Sequence, residues 1–499
     1  MPLLATLWGV ILTDRDHKGR SKHQYVGLIL GPALMLIMLF ADAPEGLNDT
    51  AWATAAVGIM MAVWWATEAV PIAVTALLPI VAFPILGIAS IEDTTAPYAN
   101  KVIFLFLGGF ILAFAMQRWN LHRRIALNVL QIAGGSGRSL IGGFMLASAL
   151  ISMWVMNTST TMMLLPIAVS IITVIHATVD SLDSKGKEDF QCALLLGVAY
   201  GATIGGISTL VGTAPNGIFN GFMKDNYGTE IAFAKWMLVG VPVSAVMLPL
   251  AWVALTRFVF KVEFTTSAEG KAELRRMKEE MGPISVPEIR VAIVFALMAS
   301  AWITRPLLVK YLGLSALDDS LIAIAGAILL FLIASGNSSD PLLLRWKYAE
   351  RLPWGVLLLF GGGLTLAGAV RRTGLADWLG QNLHVIGDLP LLVIIVIVAV
   401  LIIFLTELTS NIATTATFLP VVGAIAVSAG YDPVALLVPV TLAASCAFML
   451  PVATPPNAIV FGSGMLTVPK MARAGFVLNL FSIAIVSAAA YKIAPIVLN

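Results

Sequence analysis

Of the 499 residues, 59% are hydrophobic and only 12% charged, about half the charged share of a soluble globular domain. Most of the chain therefore cannot face water. The net charge of +2 arises from basic residues scattered among polar loops, so there is no continuous basic face and nucleic acid is not an expected partner.

In chain order, Arg15, Lys18, Arg20 and Lys22 precede the apolar run 25–40, and the next loop holds Asp42, Glu45 and Asp49 with no Lys or Arg. This asymmetry predicts that the N-terminal segment, residues 1–24, is cytoplasmic. The basic cluster follows the short apolar stretch 3–12, which is the wrong order for a secretory signal, so the segment is read as mature protein. Runs 25–40, 236–256, 318–335 and 388–405 are each long enough to span a membrane. With short polar intervals between such runs, the prediction is an all-α polytopic protein of the inner or plasma membrane, with roughly 11 transmembrane helices in one domain. The first half is read as 25–260, a cytoplasmic linker as 261–288 and the second half as 289–499. Within the linker, 268–281 has helical composition but no long apolar face and is expected to be solvated or interfacial. Cys192 and Cys446 lie in apolar surroundings and support neither a disulfide framework nor a thiolate metal site.

The two halves repeat each other. "FLGGFILAFA" (106–115) aligns with "FGGGLTLAGA" (360–369), Gly109 on Gly363, which places Arg118 on Arg372 and Leu121 on Leu375. Forty-eight residues after each of these glycines stands an asparagine, Asn157 in "MNTSTTMMLLP" and Asn411 in "SNIATTATFLP", each followed nine residues later by Pro166 or Pro420. The offset is 254 throughout. Then "TLVGTAPNGIF" (209–219) corresponds to "LPVATPPNAIV" (450–460), with the offset shortened by 13 because the first half carries the polar loop around Asp180 to Asp189. Internal repeats with interrupted helices at matching places are the pattern of secondary transporters, whose sites lie at the repeat interface.

The asparagine motifs bring amides and hydroxyls into apolar sequence: Asn157, Thr158, Ser159, Thr160 and Thr161 in one half, Thr409, Ser410, Asn411, Thr414 and Thr415 in the other. One such cluster can simply join helices. Two at equivalent positions, each trailed by a proline-containing motif, imply a site. Pro215, Pro455 and Pro456 cannot continue a helix, so they free backbone groups at membrane depth, where irregular backbone must line a cavity or be buried in protein. Carbonyl and asparagine oxygens suit an alkali cation, whereas helix N-termini and hydroxyls suit an anion. No Arg, Lys or His lies in the motifs, so a bound dianion would be balanced by co-bound cations and amide dipoles. Glu407, four residues before Asn411, and Glu68 are either proton or cation sites within a span or satisfied carboxylates at its edge. The five histidines are dispersed, and neither a HExxH motif, a Gly-x-Ser-x-Gly elbow nor a P-loop occurs, so an enzyme is not expected. A channel would fit the hydrophobicity but would not need paired anion sites.

At these residues the chain resembles the divalent anion/sodium symporter family. Ala444 to Ala453 with Asn457 to Val460 match its signature, and "WWATEAVPIAVTALLP" and "TELTSNIATT" also resemble it, over about 64–464. The resemblance implies a homodimer, 11 spans plus two re-entrant hairpins opened by the glycine-rich segments (about 100–122 and 354–376), inverted-topology repeats and an elevator-like movement. It implies sodium ligation by Ser152, the carbonyl of Met156, Asn157 and Gly212 at one site, and by Thr406, Thr409, Asn411 and Ala453 at the other. The carboxylates of the substrate would be held by Asn157, Thr158, Thr213, Ser410, Asn411 and Thr454. The implied function is sodium-coupled symport of a divalent anion, first a C4-dicarboxylate such as succinate, with sulfate or citrate as alternatives and proton coupling or exchange as a rival mode. Met156 and Ile412 stand where the family usually has Ser and Thr, so each removes a hydroxyl from the expected pocket.

Overall fold

A computed structural model describes residues 21–132, 135–179, 182–265, 268–337, 340–382 and 389–498. Arg15, Lys18 and Arg20, on which the orientation of the N-terminus rests, lie outside the described residues, as do His17 and His384. The first helices are α1 (Lys22–Phe40), α2 (Asp49–Thr67) and α3 (Ile72–Ile85). Asn48 starts α2 by accepting from Ala51 N at 2.8 Å, an ordinary N-cap. Glu68 ends α2 in the left-handed region (φ 46°), exposed, with its carbonyl taking Gln24 Nε2. It is thus an exposed helix-end residue.

The glycine-rich segments do not open hairpins. Lys101–Arg118 (α4) is one continuous helix, followed by a turn at Asn120 and a shorter helix, α5 (Leu121–Ile132). Their glycines are contact surfaces instead of turns: a Cβ on Gly108 would lie 2.5 Å from the backbone of Ala323, and one on Gly362 would lie 2.3 Å from the Ala76 carbonyl. Small residues let helices approach closely inside a membrane protein, and a run of them reads in sequence like a flexible turn.

The reversals fall later. Helices α6 (Gly137–Ser152) and α7 (Asn157–Thr178) are separated by only four residues, 153–156. The start of α6 is tied to the linker by Gly137 N donating to Phe264 O at 3.0 Å, and α7 reaches the same linker through Ser170 Oγ, 3.0 Å from Glu273 Oε1. The pair is therefore a hairpin whose base lies at the linker and whose tip points away from it. Trp154, at the tip, stacks on Phe233 and Trp302 at 6.0 and 6.4 Å between ring centroids. Next come α8 (Ser184–Gly206), a break over 207–213, and α9 (Ala214–Tyr227), followed by α10 (Phe233–Val253).

The linker helix α11 (Ala268–Glu280) is less solvated than its composition predicts. Leu274 and Met277 are buried against α5 and α7, so it closes the base of the first hairpin. Helices α12 (Val286–Leu312) and α13 (Asp319–Leu332), a short antiparallel pair of strands (β1, Ala334–Asn337; β2, Asp340–Leu342), α14 (Trp354–Arg372) and α15 (Leu375–Asn382) follow. A second hairpin is built from α16 (Leu391–Thr406) and α17 (Asn411–Ser428), again with a four-residue tip; the Tyr431 hydroxyl, just past α17, donates to Leu389 O just before α16. Helix α18 (Pro433–Ala444) then breaks over 445–454 and resumes as α19 (Pro455–Phe461), before α20 (Val468–Ala488). Among the described residues nine helices are long and apolar enough to cross a membrane, and the hairpin arms α6 and α16 are among the shorter apolar ones.

Candidate functional site

Each hairpin tip meets a broken helix. In the first half, Ser152 Oγ lies 2.6 Å from Asn157 Oδ1 across the tip. The same end of the amide lies 3.2 Å from Ala202 O and 3.3 Å from Gly212 O. All three neighbours accept hydrogen bonds. With no ion present these neighbours favour the amide NH2 turned toward them; a cation held there would instead meet the amide oxygen, the Ser152 hydroxyl oxygen and the two carbonyls. That is a hard-oxygen donor set of the kind an alkali cation takes. Met156 forms the N-cap position of α7, its carbonyl accepting from Thr160 N at 3.0 Å, while its half-buried side chain packs on the core. Thr158 is half-buried in the first turn, and Thr213 holds the N-cap position of α9 without capping it.

The second half repeats this arrangement. Thr406 Oγ1 donates to Asn411 Oδ1 at 2.8 Å and lies 3.0 Å from Ala444 O. Ser410 is the N-cap residue of α17 and makes no side-chain cap, so its hydroxyl is uncommitted to its own helix. Thr409 differs from its expected role: its hydroxyl donates to Leu405 O at 3.0 Å and pairs with Thr414 at 2.6 Å, which turns it onto its own hairpin and away from Asn411. Ala453 is buried in the break, and Thr454 Oγ1 accepts from Asn457 N at 3.3 Å.

Four helix N-termini, those of α7, α9, α17 and α19, carry these motifs, and α7 packs on α19 as α9 packs on α17. Pro215, Pro455 and Pro456 sit in the first turns of the restarting helices, where a missing N–H costs nothing. The stretches 152–161, 207–216, 406–415 and 445–457 contain no Arg, Lys or His. Positive potential at these N-termini therefore comes from N–H dipoles and not from a basic side chain.

Glu407 is buried, and its carboxylate is fully engaged. It accepts from Phe448 N at 2.7 Å, Met449 N at 2.9 Å, Leu450 N at 3.1 Å and Asn479 Nδ2 at 2.8 Å. A carboxylate held by three backbone donors and an amide is the tether of the second break. Asn216 and Asn457, missed as individual site residues in the sequence reading, are fully buried and donate into the two breaks. Their shared place in "TAPNG" and "TPPNA" was the available signal.

Comparison with known proteins gives the family and the fold. The sodium-dependent dicarboxylate transporter SdcS of Staphylococcus saprophyticus is 42% identical over 489 residues, 97% of this chain and 94% of that protein. SdcS of Staphylococcus aureus strain MRSA252 matches to the same extent. The crystal structure of the Alcanivorax borkumensis YdaH transporter, described as having an unusual topology, covers 94% of this chain and 96% of its own at 14% identity and a TM-score of 0.51, a likeness of fold. A family model, the sodium:sulfate symporter transmembrane region, matches residues 22–497, and the chain belongs to that family.

Proposed function

We propose that this integral membrane protein is a secondary active transporter performing sodium-coupled symport of a C4-dicarboxylate such as succinate. The observation that carries the reading is the pairing of two oxygen cages, around Ser152–Asn157 and Thr406–Asn411, with four helix N-termini and no fixed cationic side chain. A dianion placed between these N-termini meets N–H dipoles and the hydroxyls of Thr158, Thr213, Ser410 and Thr454, but it lacks a full countercharge. Sodium held by Asn157, Gly212 and Ser152, and by Asn411, Thr406 and Ala453, supplies it, so substrate affinity depends on sodium. The SdcS proteins, named sodium-dependent dicarboxylate transporters, support the same choice of cation and anion. The hairpins and broken helices pack on one another as one unit, which meets α4 and α14, with α13 packed behind α4. Elevator-like movement of that unit in a homodimer completes the proposal.

The test is uptake of labelled succinate, citrate and sulfate into proteoliposomes at fixed pH, with sodium or with choline or potassium in its place. Succinate uptake that requires sodium is expected. Undiminished uptake without sodium would sink the cation assignment and favour proton coupling or exchange. Sulfate taken up in preference to succinate would move the substrate to the anion for which the family is named.

A further inference from the structure

We infer that Asn216 and Asn457 are positioning residues that sort the carbonyls of the two helix breaks, tying some off so that others stay free for a cation. The inference rests on the sodium-coupled reading above. Asn216 Nδ2 lies 2.7 Å from Thr209 O, 3.2 Å from Ile207 O and 3.3 Å from Gly206 O. Asn457 Nδ2 lies 3.0 Å from Leu450 O and 3.3 Å from Ala447 O. The pairs 216/457, 209/450 and 206/447 all differ by 241, the shortened repeat offset, so the same construction occurs twice.

Its physical logic begins with the helix end. The last carbonyls of a helix have no partner of their own, and a helix that stops inside an apolar protein has no water to supply one. In each half the third residue of the restarting helix reaches back and donates to carbonyls at the break: Gly206 at the helix end with Ile207 and Thr209 inside the first break, and Ala447 and Leu450 inside the second, Ile207 O also taking Trp236 Nε1. An NH2 group has two protons, and they are used up by the carbonyls of 206, 207 and 209 in one half and of 447 and 450 in the other. Neither asparagine donates to the carbonyls at the asparagine cages: Ala202 and Gly212 beside Asn157, and Ala444, which lies 3.0 Å from Thr406 Oγ1.

The link to the first cage passes through a single residue. Gly206 gives its carbonyl to Asn216, while a Cβ on Gly206 would stand 2.5 Å from Asn157 Oδ1 and 3.1 Å from Gly212 O. The peptide that Asn216 holds is therefore in close contact with two atoms of the cage. The opposite ends of the two amides, Asn216 Oδ1 and Asn457 Oδ1, are buried without a protein partner. A side chain kept only to satisfy its own polar atoms would not leave that oxygen bare; what is retained is the donor.

The test compares Asn216→Asp and Asn457→Asp, which keep the shape but put oxygen against the carbonyls, with Asn216→Ser and Asn457→Ser, which keep one short donor. Two measurements are made on the full-length protein. The first is thermal unfolding in detergent across a sodium series balanced with choline, without substrate; the second is succinate uptake across the same series. The half-saturating sodium concentration is expected to rise about tenfold or more for the Asp variants in both measurements, and less for the Ser variants, as for other residues that orient ligands from behind. The KM for succinate at saturating sodium stays near the wild-type value. Lowered thermal stability with an unchanged sodium response would overturn the inference and leave a structural role. A KM for succinate raised equally at saturating sodium would also overturn it, and recovery of none of the four variants as folded protein would make the asparagines folding determinants. Wild-type protein that ignores sodium in both measurements would defeat the symport reading itself, which is a distinguishable failure.

Discussion

The two helix breaks have the same outline and are held by different chemistry. Over 207–213 the tethers are neutral: the Thr209 hydroxyl donates to Met153 O, and Gly206 and Gly212 approach so closely that a Cβ on Gly212 would fall 2.4 Å from Gly206 O. Over 445–454 the equivalent residues are Ala447 and Ala453, each carrying a methyl where the first break has none. There Glu407, at the place Met153 holds in the first half, gathers the free N–H groups of 448–450. An open break can therefore be fixed by close backbone packing or by a buried charge that supplies the missing acceptors. The charged solution is the more brittle, because removing it strands several buried donors at once.

The sharpest way to break this contrast is Glu407→Ala against Met153→Ala. Stranding the N–H groups of 448–450 and Asn479 is expected to cost about 3 kcal/mol or more, against about 1 kcal/mol for the half-buried methionine. Thermal unfolding and the yield of monodisperse protein would show it, and equal losses would mean that Glu407 is not the tether of the second break.

At the cages themselves the halves should behave alike. Asn157→Ala and Asn411→Ala are each expected to abolish uptake with folding preserved, since in the proposed symport each amide serves cation and substrate together and losing a buried polar partner costs about 1–3 kcal/mol per interaction. Near wild-type uptake by either variant would remove that asparagine from the site.

The contrast in backbone packing gives a smaller, asymmetric effect. Gly206→Ala should cost about 1–3 kcal/mol as the new methyl meets the Asn157 amide, and should weaken sodium response. Ala447→Gly, the reciprocal change, should cost no more than about 1 kcal/mol. Comparable losses would show that the two breaks are packed equally tightly.

Met156→Ser is expected to shift the least. Ser410 stands at the equivalent place in the second half, so a hydroxyl returned at 156 should favour more polar anions by about 1.5 kcal/mol, roughly tenfold in affinity, if it faces the substrate. Competition among succinate, citrate and sulfate measures it. An unchanged ranking would leave Met156 with its carbonyl and its packing against the core as its only roles.

The sequence by itself determined the solvent, the repeat and the positions of both asparagine motifs. Apolar composition, run length and constant spacing are properties of the chain alone, and an asparagine among apolar neighbours is conspicuous wherever the chain later goes. Three matters were decided only by tertiary structure. The place where the chain reverses was one, because Gly108 and Gly362 acquire meaning only when Ala323 and Ala76 lie against them, whereas the true tips, 153–156 and 407–410, carry no glycine. The role of Glu407 was another, because a carboxylate four residues before Asn411 has the same sequence whether it takes a proton, a cation or the backbone of residues 448–450. The last was the reach of Asn216 and Asn457 across the breaks: which carbonyls a buried amide ties off depends on how the helix before it stops, and that is fixed by packing between the hairpin and the broken helix, not by any local preference of the chain.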